Sequence, residues 1–108
     1  MEFILELADD FKITGPTDEQ IRQAIMSLDT AQDAAFAILG PRSDPNTYIQ
    51  TTGDARSGFG LEHQAGDTKQ HFMVATECDA EQIIAAFIAY RDGNDHWRNQ
   101  FQWEHIPL

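Results

Sequence analysis

The sequence predicts an α+β fold, an antiparallel β-sheet with two helices packed on one face. Two segments have the capping and spacing of amphipathic helices, and several others have the period-two alternation or short apolar runs of strands. The predicted order is β-α-β-β-β-β-α-β, in which consecutive central strands favour antiparallel pairing. With 108 residues, the chain is long enough for one hydrophobic core, so we expect a single domain over residues 1–108.

The N-terminal half predicts one helix and three strands. Residues 2–7 alternate between a more apolar and a wetter face, as in a half-buried strand. Thr17 opens a Thr-x-x-Gln capping box, and apolar residues at helical spacing then predict a helix over residues 18–28. Short runs bounded by turn residues predict strands at 34–39 and 48–52.

A hairpin is the clearest pattern in the second half. Residues 59–64 and 70–75 both alternate apolar with polar side chains, and a Gly-containing turn lies between them. Centring this turn on residues 66–67 places Glu62 opposite His71. The same register gives the hairpin one apolar and one polar face.

A second helix and a final strand close the sequence. Asp79 is a good N-cap for a helix over residues 80–92, and Gly93 is a typical left-handed stop. The segment 94–100 is either a turn or a short piece of helix. Residues 101–105 alternate again, which predicts a last strand.

The charge balance is the strongest clue from composition. Eighteen acidic residues oppose seven basic ones, giving a formal net charge of −11. Such a chain is repelled by nucleic acid and by anionic membranes, so we expect neither as a partner, whereas a basic protein would be attracted to it. The alternative is that the acidity only keeps the protein soluble.

Cysteine content and the N-terminal residues bear on the compartment. The single cysteine, Cys78, cannot form an internal disulfide, which fits a reducing cytoplasm. Residues 1–12 lack a basic segment followed by a long apolar run, so we expect neither a secretion signal nor a membrane span.

Few residues suggest chemistry. The histidines are not spaced as metal ligands, so we expect no metal and no cofactor; they are His63, His71, His96 and His105. Glu62 facing His71 is either an acid/base pair or a structural cross-strand pair, and the structural interpretation is favoured. Cys78 precedes a helix, where a thiol pKa falls, but an inert half-buried cysteine is the favoured interpretation.

The two tryptophans have different predicted roles. Trp103 alternates with Phe101 in the last strand and is expected in the core. Trp97 lies in a polar run, where it either packs the last strand against the helix or forms an exposed contact of the kind enriched at binding hot spots.

The C-terminal half resembles a known group of proteins. The motifs are Gly-Phe-Gly-Leu-Glu-His-Gln-Ala-Gly-Asp, a returning strand with His-Phe, the helix Ala-Glu-Gln-Ile-Ile-Ala-Ala-Phe-Ile-Ala-Tyr, and Trp-x-x-x-Phe-x-Trp-Glu. In this order they resemble the small immunity proteins of bacterial polymorphic toxin systems, in particular the first-numbered immunity family. The resemblance covers residues 57–106, about half of the chain.

The resemblance implies a protein that is not an enzyme but binds a cognate toxin domain inside the producing cell and blocks its active site. Because such toxins are often nucleases or deaminases with basic clefts, the acidity suggests an electrostatic blocker. We expect a monomer or weak homodimer. The expected toxin-binding residues are acids and a polar aromatic on loops and on the hairpin: Asp44, Asp54, Glu62, Asp67, Asp95 and Trp97.

Two other classes of function are open at this point. One is a small enzyme or ligand-binding domain with its pocket between the helix at 79–92 and the sheet. The other is an adaptor that pairs through an exposed edge strand, either 2–7 or 101–106.

Overall fold

Two helices pack on one face of a seven-stranded antiparallel sheet in the computed structural model, which describes residues 2–31 and 35–106. The strands are β1 Phe3–Leu7, β2 Lys12–Thr14, β3 Phe36–Pro41, β4 Tyr48–Asp54, β5 Gly58–Gln64, β6 His71–Val74 and β7 Trp103–His105. The helices are α1 Asp18–Ser27, α2 Ala80–Asp92 and the four-residue α3 His96–Asn99. The predicted fold class is therefore confirmed.

The strand order is β2-β1-β3-β4-β5-β6-β7. Neighbouring strands are thus close in the chain, with α1 between β2 and β3 and with α2 and α3 between β6 and β7. The sheet ends in two three-residue edge strands, β2 and β7. Residues 2–7, considered above as an edge, instead pair on both sides, so that part of the adaptor hypothesis is wrong.

Local capping explains where the two long helices begin. The Thr17 hydroxyl accepts a hydrogen bond from the Gln20 N–H, and the Gln20 side chain accepts one from the Thr17 N–H. Asp79 and Gln82 form the same reciprocal pair at α2. Each box satisfies donors that a helix start leaves open. Gly93 ends α2 with φ +77°, in the left-handed region, as predicted.

The core lies between the helices and one face of the sheet, which we call the covered face. Because side chains alternate along a strand, every second residue points to this face. The fully buried strand residues there are Leu5, Ala37, Leu39, Ile49, Phe59 and Leu61. The helices contribute Ile21, Ile25, Ile83, Ala86 and Phe87, all also fully buried. The longest helix has 13 residues, and no described helix is long and apolar enough to cross a membrane.

The predicted elements differ from the observed ones mainly at their ends. The short strand β2 was not predicted, because three residues after a 3₁₀ turn carry little periodic signal. The strand expected over 34–39 is observed as Phe36–Pro41, and Ala34 lies outside the described residues. The segment 94–100 contains α3, and the last strand begins at Trp103.

The predicted hairpin register is wrong by two residues. His71 pairs with Gln64, whereas the prediction placed it opposite Glu62. The reason is a 3₁₀ turn at Thr68–Gln70, whose start is capped by the Asp67 carboxylate accepting from the Lys69 N–H, 2.8 Å away. This turn lengthens the connection beyond a tight hairpin. A slip of two residues keeps each side chain on its predicted face, because strands alternate with a period of two.

Candidate binding surface

The face of the sheet opposite the helices, which we call the open face, carries one row of side chains across all seven strands. Cross-strand pairs link each member of the row to the next. From β2 to β7 the row is Lys12, Glu6, Ile38, Gln50, Glu62, Met73 and Glu104. Every member is at least partly exposed, and the described helices all lie on the other side. The row therefore marks an uncovered surface.

Three carboxylates dominate the charge of this row. At about 4.8 Å between adjacent strands, Glu6 lies about 14 Å from Glu62, and Glu62 lies about 10 Å from Glu104. Lys12, at the β2 edge, is the one basic residue in the row. Apolar side chains between the acids, such as Ile38 and Met73, give the open face the mixed character of a binding surface.

A buried hydrogen-bonded network lies beside the row. His71 and Gln64 are each 5% exposed. The Nε2 of His71 lies 2.9 Å from Oε1 of Glu62, and its Nδ1 lies 3.2 Å from Oε1 of Gln64. Gln64 also donates through Nε2 to the carbonyl of Asn46, 3.0 Å away. The predicted contact between Glu62 and His71 is therefore present, although as a diagonal pair.

Tyr48 completes this network. Its hydroxyl donates to Oε1 of Gln64 over 3.4 Å, and its ring meets that of His71 edge-on. Burial, followed by the nearby Glu62 carboxylate, raises the pKa of Tyr48, so its hydroxyl stays protonated and remains a donor. We call Asn46, Tyr48, Glu62, Gln64 and His71 the Glu62 network. Its members come from the three neighbouring strands β4, β5 and β6 and from the loop before β4, so the sheet fixes their positions.

Two depressions meet at the loop that joins β3 to β4. One, of about 350 Å³, lies on the open face and includes Glu6, Tyr48 and Asp44 in its lining. The other, of about 430 Å³, lies towards the helices at the C-terminal end of α2 and also includes Asp44. Asp44 accepts from the Thr47 hydroxyl, 2.7 Å away, which fixes its carboxylate at this boundary.

The structure brings some of the predicted contact residues together. Glu62 is on the open face, and Asp44 and Asp67 lie on the two loops at one end of the sheet, 42–47 and 65–70. Asp95 lines the 430 Å³ depression on the helix side of that end. Asp54, in contrast, lies where β4 ends, at the other end of the sheet.

Asp54 does not fit the expected role of a surface contact. It is 3% exposed, and its carboxylate accepts from the Thr30 hydroxyl at 2.8 Å and from the Ser57 N–H at 2.6 Å. The Thr30 N–H, 3.0 Å away, donates to it as well. These bonds, those from Thr30 first, hold the pKa of Asp54 well below its usual range. The residue therefore ties two loops together.

Trp97 likewise packs inward. It is 5% exposed and contacts the rings of Tyr90, His63 and Trp103. The packing interpretation therefore fits, and the exposed-anchor interpretation of Trp97 does not. The guanidinium of Arg98 covers the indole, 4.8 Å from its centre.

His63 is enclosed in the same aromatic cluster. Its ring stacks on Phe72 at 4.8 Å and meets Trp97 and Trp103 edge-on at 4.8 and 4.7 Å. Burial, assisted by the positive charge of Arg98, lowers the pKa of His63 from 6.5 to about 4. The folded state therefore favours the neutral ring.

This environment predicts a pH-dependent stability. Between pH 6.5 and 4 the unfolded chain binds a proton at His63 that the folded protein resists, so stability is complete above pH 6.5 and falls below it. On going from pH 7.5 to pH 5, we expect His63 to lower the free energy of unfolding by about 2 kcal/mol. Urea unfolding at both pH values measures this. His63→Phe should remove the loss, whereas the exposed His96→Gln should retain it.

All five arginines are already paired with acids. The partners are Glu81 for Arg22, Glu2 for Arg42, Asp29 and Asp54 for Arg56, Asp18 and Asp92 for Arg91, and Asp95 for Arg98. Within the described part of the chain, the two lysines form no ion pair. Within residues 2–31 and 35–106, therefore, no guanidinium group pairs with Glu6, Glu62 or Glu104 on the open face.

The last candidates for a reactive or metal-binding site are Cys78 and the histidines. Cys78 is 4% exposed, and burial, followed by the Asp79 charge, raises the pKa of its thiol, contrary to the lowering considered above. Within residues 2–31 and 35–106, no three His, Cys, Asp or Glu side chains group as they would around a metal ion.

Comparison of the chain with family models, curated proteins and solved structures gives no match. The fold and surface define a small α+β protein with one helix-covered and one open, acidic sheet face. Sequence reasoning missed Glu6, Glu104, Tyr48 and Gln64 as members of this surface. The alternation in residues 2–7 and 101–105 could have indicated the two glutamates, whereas the order of the strands is needed to align them.

Proposed function

We propose that this protein is an immunity protein, which binds a basic toxin domain and blocks its active site. The observation that carries the proposal is the open face, where Glu6, Glu62 and Glu104 lie in one row with a single lysine. The net charge of −11 adds a long-range attraction for a basic partner. The resemblance of residues 57–106 to immunity proteins supports the same function.

The size of the open face indicates which neighbouring residues take part. Seven strands about 4.8 Å apart, with about five residues each, cover roughly 500 Å² in projection. A stable protein complex commonly buries about 800 Å² on each partner. The loops at one end of the sheet must therefore contribute, and they carry Asp44 and Asp67. These two acids, with Glu62, are the predicted contacts retained in this proposal.

The same charges favour a toxin that acts on nucleic acid. Nucleases and nucleic-acid deaminases hold phosphates with basic clefts. A rigid sheet that presents carboxylates about 10–14 Å apart can occupy such a cleft in place of phosphates. Inhibition then requires no reaction, because the substrate path is filled.

The test is binding and neutralisation with the purified toxin domain encoded beside this protein. We expect co-expression to restore growth of cells that make the toxin, and a 1:1 complex on gel filtration. Raising the salt from 50 to 300 mM should weaken the complex about tenfold, because ions screen the attraction of opposite charges. Growth arrest despite co-expression, without a complex, would contradict the proposal.

A ligand-binding domain is the second candidate, favoured by the 430 Å³ depression beside the C-terminal end of α2. Tyr90, Trp97 and Asp44 contribute to its lining. Along the middle of α2, however, Ile83 and Phe87 are fully buried against the sheet. A ligand site would therefore be confined to the helix end. Saturable NMR shifts confined to residues 93–97 on adding a small molecule would favour this candidate.

A further inference from the structure

Building on the proposed function, we propose that Glu62 is the anchor of the open face for a lysine or arginine of the partner, and that His71 is the positioning residue that holds it. The carboxylates of the row differ in how they are held. Glu62 is bonded to a buried ring, whereas Glu6 and Glu104 have no side-chain hydrogen bond to the described residues. Glu62 thus differs from the other two glutamates because its side chain is held in one position.

The position of Glu62 is fixed by a chain of bonds that ends in the backbone. The carbonyl of Asn46 accepts from Gln64, the amide oxygen of Gln64 accepts from His71, and His71 in turn reaches Glu62. His71 and Gln64 are both 95% buried. The Glu62 side chain, in contrast, is 33% exposed. One end of the network is therefore bonded to the backbone at Asn46, and the other end, Glu62, reaches the surface.

The network also settles which atoms donate. Because Nε2 of Gln64 donates to the Asn46 carbonyl, its Oε1 faces His71 and can only accept. The Glu62 carboxylate can also only accept. Each ring nitrogen of His71 therefore faces an oxygen that can only accept, and each of the two bonds forms when the nitrogen concerned carries a proton. The protons are assigned from this bonding pattern.

The remaining oxygen of Glu62 is the one offered to a partner. His71 binds Oε1, and Oε2 has no hydrogen-bond partner in the described part of the chain. The row neighbours of Glu62 are Gln50 and Met73, and neither brings a charge. A cation that reaches Oε2 therefore pairs with a carboxylate already held in one orientation. Binding then loses little side-chain entropy, which a free surface glutamate would lose.

The test compares Glu62→Gln with Glu104→Gln, which removes the same charge from the same row, two strands away. The probe is the toxin domain encoded beside this protein, and binding rates are measured at fixed pH and salt. Glu62→Gln should weaken the complex about 30-fold, mainly through faster dissociation. Glu104→Gln should weaken it about threefold, mainly through slower association. Equal effects of the two variants would overturn the anchor while leaving the proposed function intact.

A double-mutant cycle tests the positioning role of His71. His71→Leu should weaken the complex about tenfold in the wild-type background but little further in Glu62→Gln, because it acts through that carboxylate. His71→Gln, whose amide can still donate to Glu62, should recover part of the loss. Additive effects of His71→Leu and Glu62→Gln would overturn the positioning role. If His71→Leu does not fold, His71→Phe, which also lacks a donor for Glu62 but keeps a ring at this position, replaces it in both backgrounds. If the wild-type protein forms no complex, the proposed function and the anchor both fail.

Discussion

Reversing the charge of Glu6 and Glu104 together, by Glu6→Lys and Glu104→Lys, should weaken binding of the proposed partner, a basic toxin domain, about 100-fold. Both residues lie on the open face, and neither is held by a side-chain bond within the described residues. Neutralising one exposed charge costs up to about 1 kcal/mol, and reversing two costs several times as much. Because exposed charges act at a distance, the association rate should fall most. Surface plasmon resonance at low salt measures both rates.

The matched control applies the same charge change on the helix side. Glu19→Lys and Asp92→Lys lie on exposed surfaces of α1 and α2, away from the open face. This pair alters the net charge of −11 by the same amount, so it measures the effect of overall charge. Because Asp92→Lys also removes an ion pair with Arg91, circular dichroism checks that the variant is folded. We expect it to weaken binding less than tenfold. If both double variants weaken binding equally, the acidity acts as a whole and the open face is not the contact surface.

Phe87→Ala should produce the largest loss of stability from a single substitution. Phe87 lies on the inner side of α2 and is fully buried. Truncating a buried phenylalanine leaves a cavity and costs about 4 kcal/mol. For a domain of this size, that corresponds to a fall in Tm of roughly 20 °C. Thermal and urea unfolding followed by circular dichroism measure both quantities.

Phe11→Ala is the control for this substitution, because Phe11 is 57% exposed. Its removal should change the free energy of unfolding by no more than about 0.5 kcal/mol. If Phe87→Ala lowers the free energy of unfolding no more than Phe11→Ala does, α2 does not pack on the sheet as described. Phe87→Leu, which keeps part of the volume, should fall between the two.

Features with a short-range cause could be predicted from the sequence. The predicted capping box at Thr17 and the predicted N-cap at Asp79 depend on residues within one helical turn, and both helices begin where these residues predict. Gly93 needs only its own backbone freedom to end α2. The faces of the hairpin followed from alternation alone. In each case the interaction that decides the structure lies within one turn or one strand.

Features set by tertiary contacts could not be predicted. The sequence predicts Asp54 as an exposed acid in a loop. Its carboxylate is instead buried where it bonds with Thr30, which is 24 residues away in the chain. Trp97 stands among polar residues in the sequence but lies beside His63 in the fold. The row on the open face requires all six strand pairings at once. The candidate surface was therefore predicted only in part, through Glu62 and its contact with His71.

The short length of the two edge strands affects how readily the protein associates with itself at high concentration. An exposed strand edge offers unpaired N–H and C=O groups to a second molecule, and long flat edges promote fibre growth. Here β2 and β7 offer three residues each, and β2 also carries the charge of Lys12. Edge-to-edge pairing of two sheets would therefore involve only three residues of each strand and would be weak. Short edges of this kind therefore disfavour edge-to-edge polymerisation at high protein concentration.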